Sequence, residues 1–303
     1  MSRPSRAVLL VANSRREQVR SFAAGLCRAL LESGIEVRVG RDEIDDLVGA
    51  GEGPLGGVVG VDADERSADG CELVVVLGGD GAILRGAERA RHASVPLLGI
   101  NLGRVGFLAE AEQEDAATVV RAIVERTWQV DERTALDIRV SAGGIDVFRT
   151  WALNDVSIEK AAREHMLEVL VEIDARPVSR WGCDGVVCAT PTGSTAYAFS
   201  AGGPVVWPEV EALLVVPISA HALFARPLVV SPSSVIAMEL PEGGTPAVLW
   251  ADGRRTTDLP AAARIEVRRH AEPVRLARVH PGPFADRLVE KFDLPVEGWR
   301  GQR

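Results

Sequence analysis

Leu73-Val74-Val75-Val76-Leu77-Gly78-Gly79-Asp80-Gly81-Ala82-Ile83-Leu84 joins an unbroken apolar run to a helix-forming segment through three glycines and a single carboxylate. Consecutive β-branched and leucine residues fit a central parallel strand covered on both faces. The strand is expected to end at Gly78, and residues 82–88 to form a helix whose first turn leaves backbone N–H groups without partners. Glycines at 78, 79 and 81 permit positive φ and let a ligand reach the main chain. Asp80 is then the side chain able to act at this corner. Two readings are open on these residues alone: Asp80 caps the helix, as short polar acceptors do, or it serves a corner built for a phosphate and a sugar.

Working outward, residues 7–12 read as a strand and Glu17 to Glu32 as a helix, with Val19, Phe22, Ala23, Leu26 and Leu30 at helical spacing. Gly34 stands where a C-terminal helix cap belongs, and residues 35–39 alternate as a second strand. Residues 41–70 are rich in Gly, Asp and Glu. Within them Gly51, Gly53 and Gly56 match G-x-G-x-x-G, but Pro54 interrupts the match and no strand-to-helix context surrounds it, so it reads as a loop. Residues 95–100 give another short strand, running into Asn101-Leu102-Gly103-Arg104-Val105-Gly106-Phe107-Leu108. This is a second glycine-punctuated strand end, and Gly103 and Gly106 would line the same crevice as the first. Residues 115–125 close this half as a helix, and the strand-helix order makes it an α/β domain.

From about residue 127 the style changes to short strands between turn signals. Strands are expected at 135–140, 145–153, 167–173, 185–189, 213–218, 235–240, 247–251, 264–268 and 274–278, with Gly143-Gly144 and Asp252-Gly253 as hairpin dipeptides. This half reads as mostly β, a sandwich or layered sheet. A tail from Pro283, with Phe284, Leu288 and Val289 at helical spacing, is expected to fold back on the first domain. The organisation so read is an α/β domain over 1–126, a mostly-β domain over 127–282, and a tail over 283–303.

Length and composition set limits. The 303 residues, 47% hydrophobic and 25% charged, suffice for two cored domains. The apolar run from Ala7 to Ala12 is too short for a signal or membrane segment, so a cytosolic protein is expected. Cys27, Cys71, Cys183 and Cys188 make no C-x-x-C pair and read as reduced and structural. A net charge of −9 argues against broad binding of nucleic acid or an anionic membrane, so an anionic ligand needs a local site. Lys160 and Lys291 are the lysines, and no Walker-type G-x-x-x-x-G-K occurs.

Two later segments carry chemistry. Asn154 and Asp155 set an amide beside a carboxylate, which could accept from ribose hydroxyls and pair with an adenine edge, or could simply form a turn. Residues 183–204 lead an apolar strand into Thr190-Pro191-Thr192-Gly193-Ser194-Thr195-Ala196-Tyr197-Ala198-Phe199-Ser200. The run is dense in hydroxyls and carries the chain's tyrosine, Tyr197, which could stack or hydrogen-bond.

Gly78-Gly79-Asp80-Gly81, Asn101 to Leu108, Asn154-Asp155 and Thr190 to Tyr197 closely resemble, in order, the motifs of NAD kinases. The resemblance spans nearly the whole chain, whereas the diglycine corner alone also resembles diacylglycerol and sphingosine kinases. It implies a Rossmann-like α/β N-terminal domain with a parallel sheet, an all-β C-terminal domain, a homo-oligomer (dimer or tetramer), and phosphorylation of the adenosine-ribose 2′-hydroxyl of NAD to give NADP. ATP, inorganic polyphosphate or both would be the donor, accompanied by magnesium.

By matching position, the resemblance implies that Asp80 is the catalytic carboxylate and that Gly81 and Arg85 serve the phosphates. Asn154 and Asp155 would hold NAD. Asp184, Thr192 and the run Thr195, Ala196, Tyr197, Ala198, Phe199 and Ser200 would line its site. His165 falls at a basic NAD contact of the family, with a structural role as the alternative. The family more often has Glu at the Asp155 position, a basic residue at Gly182 and Gln at Arg254. A lipid kinase would need a membrane-facing surface, which the acidic chain disfavours. A non-enzymatic NAD sensor would not need Asp80 among the glycines.

Overall fold

The computed structural model of the chain describes residues 6–12, 16–48, 57–103, 106–109, 111–112, 116–162, 165–279 and 282–296. The glycines of the G-x-G-x-x-G match at 51, 53 and 56 lie outside them. In chain order the elements are β1 (Ala7–Ala12), α1 (Glu17–Glu32), β2 (Glu36–Gly40), α2 (Arg41–Val48), β3 (Val59–Val61), β4 (Leu73–Leu77), α3 (Asp80–Arg91), β5 (Leu97–Asn101), β6 (Ala111–Glu112), α4 (Ala116–Glu125) and β7 (Gln129–Arg133). There follow β8 (Leu136–Ala142), β9 (Ile145–Ala152), β10 (Asp155–Lys160), β11 (Leu167–Ile173), β12 (Arg176–Cys183), β13 (Gly185–Ala189), a 3-10 turn (Thr192–Thr195), α5 (Tyr197–Ser200) and β14 (Leu213–Ile218). The chain ends with β15 (Leu228–Val230), β16 (Ile236–Glu239), β17 (Ala247–Ala251), β18 (Arg255–Leu259), β19 (Arg264–Arg269), β20 (Val274–Arg278) and α6 (Phe284–Phe292).

The chain divides into two compact units, one of residues up to Glu132 and from Val274 onward, the other from Arg133 to Pro273. The first holds a sheet in the order β3-β2-β1-β4-β5-β20-β7, with β6 beside β5. β1, β2, β3, β4 and β5 pair in parallel, as do β5 and β20. All five residues of β4 are buried, which is why an unbroken apolar run sits at the sheet's centre. α1 covers one face through Val19, Ala23, Leu26, Cys27 and Leu30, and ends at Gly34 with φ +74°. β20 shows the reach of this sheet. Its apolar run fits the β-rich half by pattern, yet Leu276 pairs with Leu97 of β5 and both are buried. β7 and β20 therefore move the division between units to Glu132 and Val274.

α2 and β3 occupy a stretch whose composition points to no element. The acidic first turn of α2, Asp42 and Glu43, suits a helix N-terminus. Glu43 also has a tertiary reason to be there: its Oε2 accepts from Ala12 N at the end of β1, 2.8 Å away.

The second unit is all β in its sheets, two antiparallel layers ordered β15-β14-β13-β10-β17-β18 and β12-β11-β16-β19-β8-β9. Inward residues of both form one apolar core that includes Trp181, whose Nε1 donates to Phe224 O at 3.0 Å. Gly143 and Gly144 turn β8 into β9 with φ +57° and +79°, and Asp252 and Gly253 turn β17 into β18 with φ +53° and +61°. A second, smaller core of Val187, Ala189, Ala198, Val206, Leu214 and Val216 seats the 3-10 turn and α5 on the outer face of β13 and β14.

Two glycines test how tightly helices lie on the parallel sheet. A Cβ at Gly86 of α3 would overlap the Val76 side chain of β4, whereas nothing approaches one at Gly25 on the exposed face of α1. Gly86→Ala should lower the thermal midpoint by overpacking, about 1–3 kcal/mol. Gly25→Ala should raise it by about 0.5–1 kcal/mol.

Candidate functional site

The first cluster forms at the carboxyl ends of the parallel strands. The chain leaves β1 toward β2 and β3 on one side and later enters β4 and β5 on the other, so the order reverses between β1 and β4. Crevices open at such a switch point. β4 ends in Gly78, at φ +147°, and Gly79 is the N-cap of α3. Asp80 is therefore the first helical residue and not its cap. Its carboxylate accepts instead from two successive amides: Phe107 N on Oδ2 at 3.2 Å and Leu108 N on Oδ1 at 3.1 Å. Each oxygen keeps a further lone pair. Gly106 lies against this carboxylate so closely that a Cβ there would overlap it.

A cleft of about 500 Å³ opens beside this corner, lined by Arg16, Val19, Gly78, Gly79, Asn101, Leu102 and Gly103. Asn101 ends β5 and shapes the wall, its Oδ1 accepting from Gly103 N at 3.1 Å. Arg16, a lining cation, precedes α1. Its one sequence signal is a position just after β1, which acquires meaning only once β1 is known to border the switch point.

Arg85 lies five residues along α3 from Asp80, about 140° around the helix axis, and faces a different neighbour. Its Nη2 donates to Ala12 O at 3.2 Å and stands 4.0 Å from Glu43 Oε1. Arg89 Nη2 lies 3.4 Å from the same oxygen. Burial raises the Glu43 carboxyl, opposed by the Ala12 amide and by the Arg89 and Arg85 charges. The end of β1 is thus gripped through both its N–H and its carbonyl. Gly81 is exposed in the first turn of α3.

The second cluster lies wholly within the other unit. Asp252, at the β17–β18 turn, accepts from Leu153 N at 3.0 Å and Asn154 N at 2.7 Å, and pairs with Arg255 Nη2 at 2.8 Å. Arg255 also donates to Trp151 O and lies 4.5 Å above the Trp151 ring. Asp155 opens β10, with its N–H 3.4 Å from Asp252 Oδ1 and its own Oδ2 accepting from Tyr197 N at 3.3 Å. Thr190 Oγ1 donates to Leu153 O and accepts from Gly193 N, while Asn154 O accepts from Thr190 N. At Gly193 a Cβ would overlap the Asn154 backbone. Ser194 exchanges two bonds with Val206, and Thr195 Oγ1 donates to Thr192 O.

The structure thus brings Asn154, Asp155, Thr192, Thr195, Ala196 and Tyr197 together. Ala198 is buried beneath them, while Phe199 and Ser200 are exposed. Asp184 sits at the other end of β13, where the chain leaves one sheet for the other, and pairs with Lys160 at 2.6 Å. The Tyr197 hydroxyl is raised by burial first and by the charge of Glu159, one residue before Lys160, second. His165 is exposed in the segment beyond the far end of β10. Asp252 and Arg255 carry no sequence signal beyond a turn dipeptide, yet they hold the Asn154-Asp155 backbone.

Two buried carboxylates here compete for charge. Asp252 has three N–H groups, those of Leu153, Asn154 and, at the longest distance, Asp155, and a guanidinium. Asp155 has one N–H and the charge of Asp252 nearby, and burial first and Asp252 second push it up to about 7. The folded state therefore binds a proton that the unfolded chain has released, so this contribution is full below about pH 4 and is lost as pH rises through 7. Asp155→Asn, which keeps an acceptor for Tyr197 N, should gain on the natural protein in thermal midpoint between about pH 5 and about pH 8. Parallel midpoints across that range would show that Asp155 does not hold the proton.

Comparison with known proteins agrees with this geometry. Residues 8–128 match the family model of the ATP-NAD kinase N-terminal domain, and residues 153–279 that of the ATP-NAD kinase C-terminal domain. NAD kinase 2 of Streptomyces coelicolor is 58% identical over 296 residues, covering 98% of this chain and 97% of that protein. Among solved structures, yeast NADH kinase complexed with NADH has the same fold, with a TM-score of 0.84 at 24% identity over 100% of this chain and 90% of that one. An Archaeoglobus fulgidus NAD kinase in complex with ATP aligns at 0.71, also 24% identical, over 96% and 100%. A parallel sheet with a Gly-Gly-Asp-Gly corner, an antiparallel sandwich with an Asn154-Asp155 pair whose carboxylate is buried, and matches over both halves place this chain in the NAD kinase family.

Proposed function

We propose that the reaction is transfer of a terminal phosphoryl group to the 2′-hydroxyl of the adenosine ribose of NAD, giving NADP, with Asp80 at the reacting hydroxyl. The observation that carries the reading is the Asp80 carboxylate, oriented by the Phe107 and Leu108 amides beside a glycine-lined cleft. In the reaction the hydroxyl oxygen bonds to phosphorus while the bond from phosphorus to the bridging oxygen breaks. The leaving phosphate takes that bond pair, and the hydroxyl proton passes toward Asp80. Such transfers run through a loose transition state, so positioning and charge neutralisation contribute most. A carboxylate is a weak base for an alcohol, and Asp80 accordingly acts as much by orienting the hydroxyl as by taking its proton.

Main-chain groups, Arg16 and Arg85 would meet the phosphates, and Asn154, Asp155, Asp184 and the run from Thr192 to Ser200 would hold NAD. The cleft offers the backbone of Gly78 and Gly79 and the Arg16 guanidinium to the phosphates of a donor. ATP and polyphosphate both present such phosphates. Magnesium would enter as part of the donor, held by its phosphate oxygens. The four cysteines are free and buried, with Cys27 and Cys188 pushed up to about 12 by burial, so they are inert packing groups. Exposed Tyr197, Phe199 and Trp207 suit a homo-oligomer, measurable by light scattering.

Asp80→Asn should lower NADP formation by about two to four orders of magnitude while leaving NAD affinity within severalfold. The substituted amide would also set an NH2 group against one of the two orienting N–H donors. The test is NADP formation from NAD and magnesium with ATP or with polyphosphate. Product with ATP, polyphosphate or both, lost with Asp80→Asn, is expected; near-normal turnover in the variant would remove Asp80 from the chemistry.

A further inference from the structure

We propose that Arg287, on the C-terminal helix α6, is a positioning residue for the Asp80 carboxylate. The inference rests on the reading of Asp80 given above and adds to the site a residue remote from every motif in the sequence.

The argument runs through one peptide plane. Arg287 Nη1 donates to Phe107 O at 3.2 Å and to Ala109 O at 3.4 Å. Phe107 O belongs to the same peptide unit as Leu108 N, which donates to Asp80 Oδ1. A trans peptide directs its C=O and N–H in opposite senses. With its oxygen on the guanidinium and its hydrogen on the carboxylate, this unit cannot rotate without losing both bonds. A cation on the carbonyl also polarises the unit and strengthens its N–H as a donor. The second donor to Asp80, Phe107 N, is one residue away in the same gripped segment.

Packing places the cation there. The Phe107 ring lies 5.7 Å from that of Phe284 and 5.8 Å from that of Phe292, so the segment meets both ends of α6 with Arg287 between them. Gly106 lets the chain close onto Asp80. Burial disfavours the Arg287 charge, and the charges of Asp131 and Asp80 favour it. Asp131 also pairs with Arg278, 3.1 Å away, so Asp80 is a second anion compensating Arg287.

The test compares NADP formation by the natural protein, Arg287→Met, Asp80→Asn and the double variant. Arg287→Met should lower kcat by about 10- to 100-fold, the scale of a misplaced reacting group, with KM for NAD within about threefold. In the Asp80→Asn background the same change should cost less than about threefold, because groups acting as a unit are not additive. Arg287→Lys, which keeps the cation on a shorter arm, should give an intermediate loss with the same dependence on Asp80, and serves if Arg287→Met does not fold. An equal loss in both backgrounds, or no loss with Asp80→Asn alone strongly impaired, would overturn the role of Arg287. Near-normal turnover of Asp80→Asn alone would overturn the reading of Asp80, and the inference with it.

Discussion

Burial of β4 on both faces is the constraint from which the Asp80 corner follows. Its five residues have no polar side chain and no exposed atom worth counting, so the strand can lie only inside a sheet covered on both sides. Once it lies between β1 and β5, its carboxyl end opens at the reversal of strand order, and the glycines deliver Asp80 to that opening. The close seat of Gly86 on Val76 fixes the helix that carries Asp80. The chemistry of the corner is thus set by packing below it.

The second unit solves a different problem. Its outer layer must hold polar backbone at the start of β10 away from water, and it does so with a buried carboxylate, Asp252, that gathers amides of residues 153 and 154 and the guanidinium of Arg255. Asp155 is then left beside an anion with Tyr197 N as its donor, and burial first and Asp252 second push its carboxyl up. Small residues are required where backbone meets backbone, as at Gly193 against Asn154. The hydroxyl run that looks like a loop is a packed structure, with Ser194 locked to Val206 and Ala198 in a small core.

The two units hold their functional carboxylates by opposite means. Asp80 is oriented by N–H donors from a loop that the C-terminal helix supports, and remains partly open. Asp155 and Asp252 are enclosed, and burial dominates their behaviour. Orientation by N–H donors leaves lone pairs of Asp80 for a further donor; enclosure ties Asp252 to the backbone it holds.

Much was legible in sequence because periodicity and turn chemistry are local. The burial of β4, the span of α1, the hairpins at Gly143-Gly144 and Asp252-Gly253, and the glycine corner each depend on residues within one or two turns of each other. The resemblance of ordered motifs added the family. α2 escaped because its reason to exist is Glu43 meeting Ala12, thirty-one positions away. β20 escaped assignment to the parallel sheet because an apolar run states that a strand is buried and not which neighbour buries it. Arg16, Asp252, Arg255 and Arg287 look like ordinary polar residues in sequence, since what they hold lies far along the chain. The sequence by itself determined the buried strand, the glycine corner, the main hairpins and the family; tertiary structure alone decided which amides orient Asp80 and which partners enclose Asp155, because hydrogen bonds and desolvation depend on distance in space.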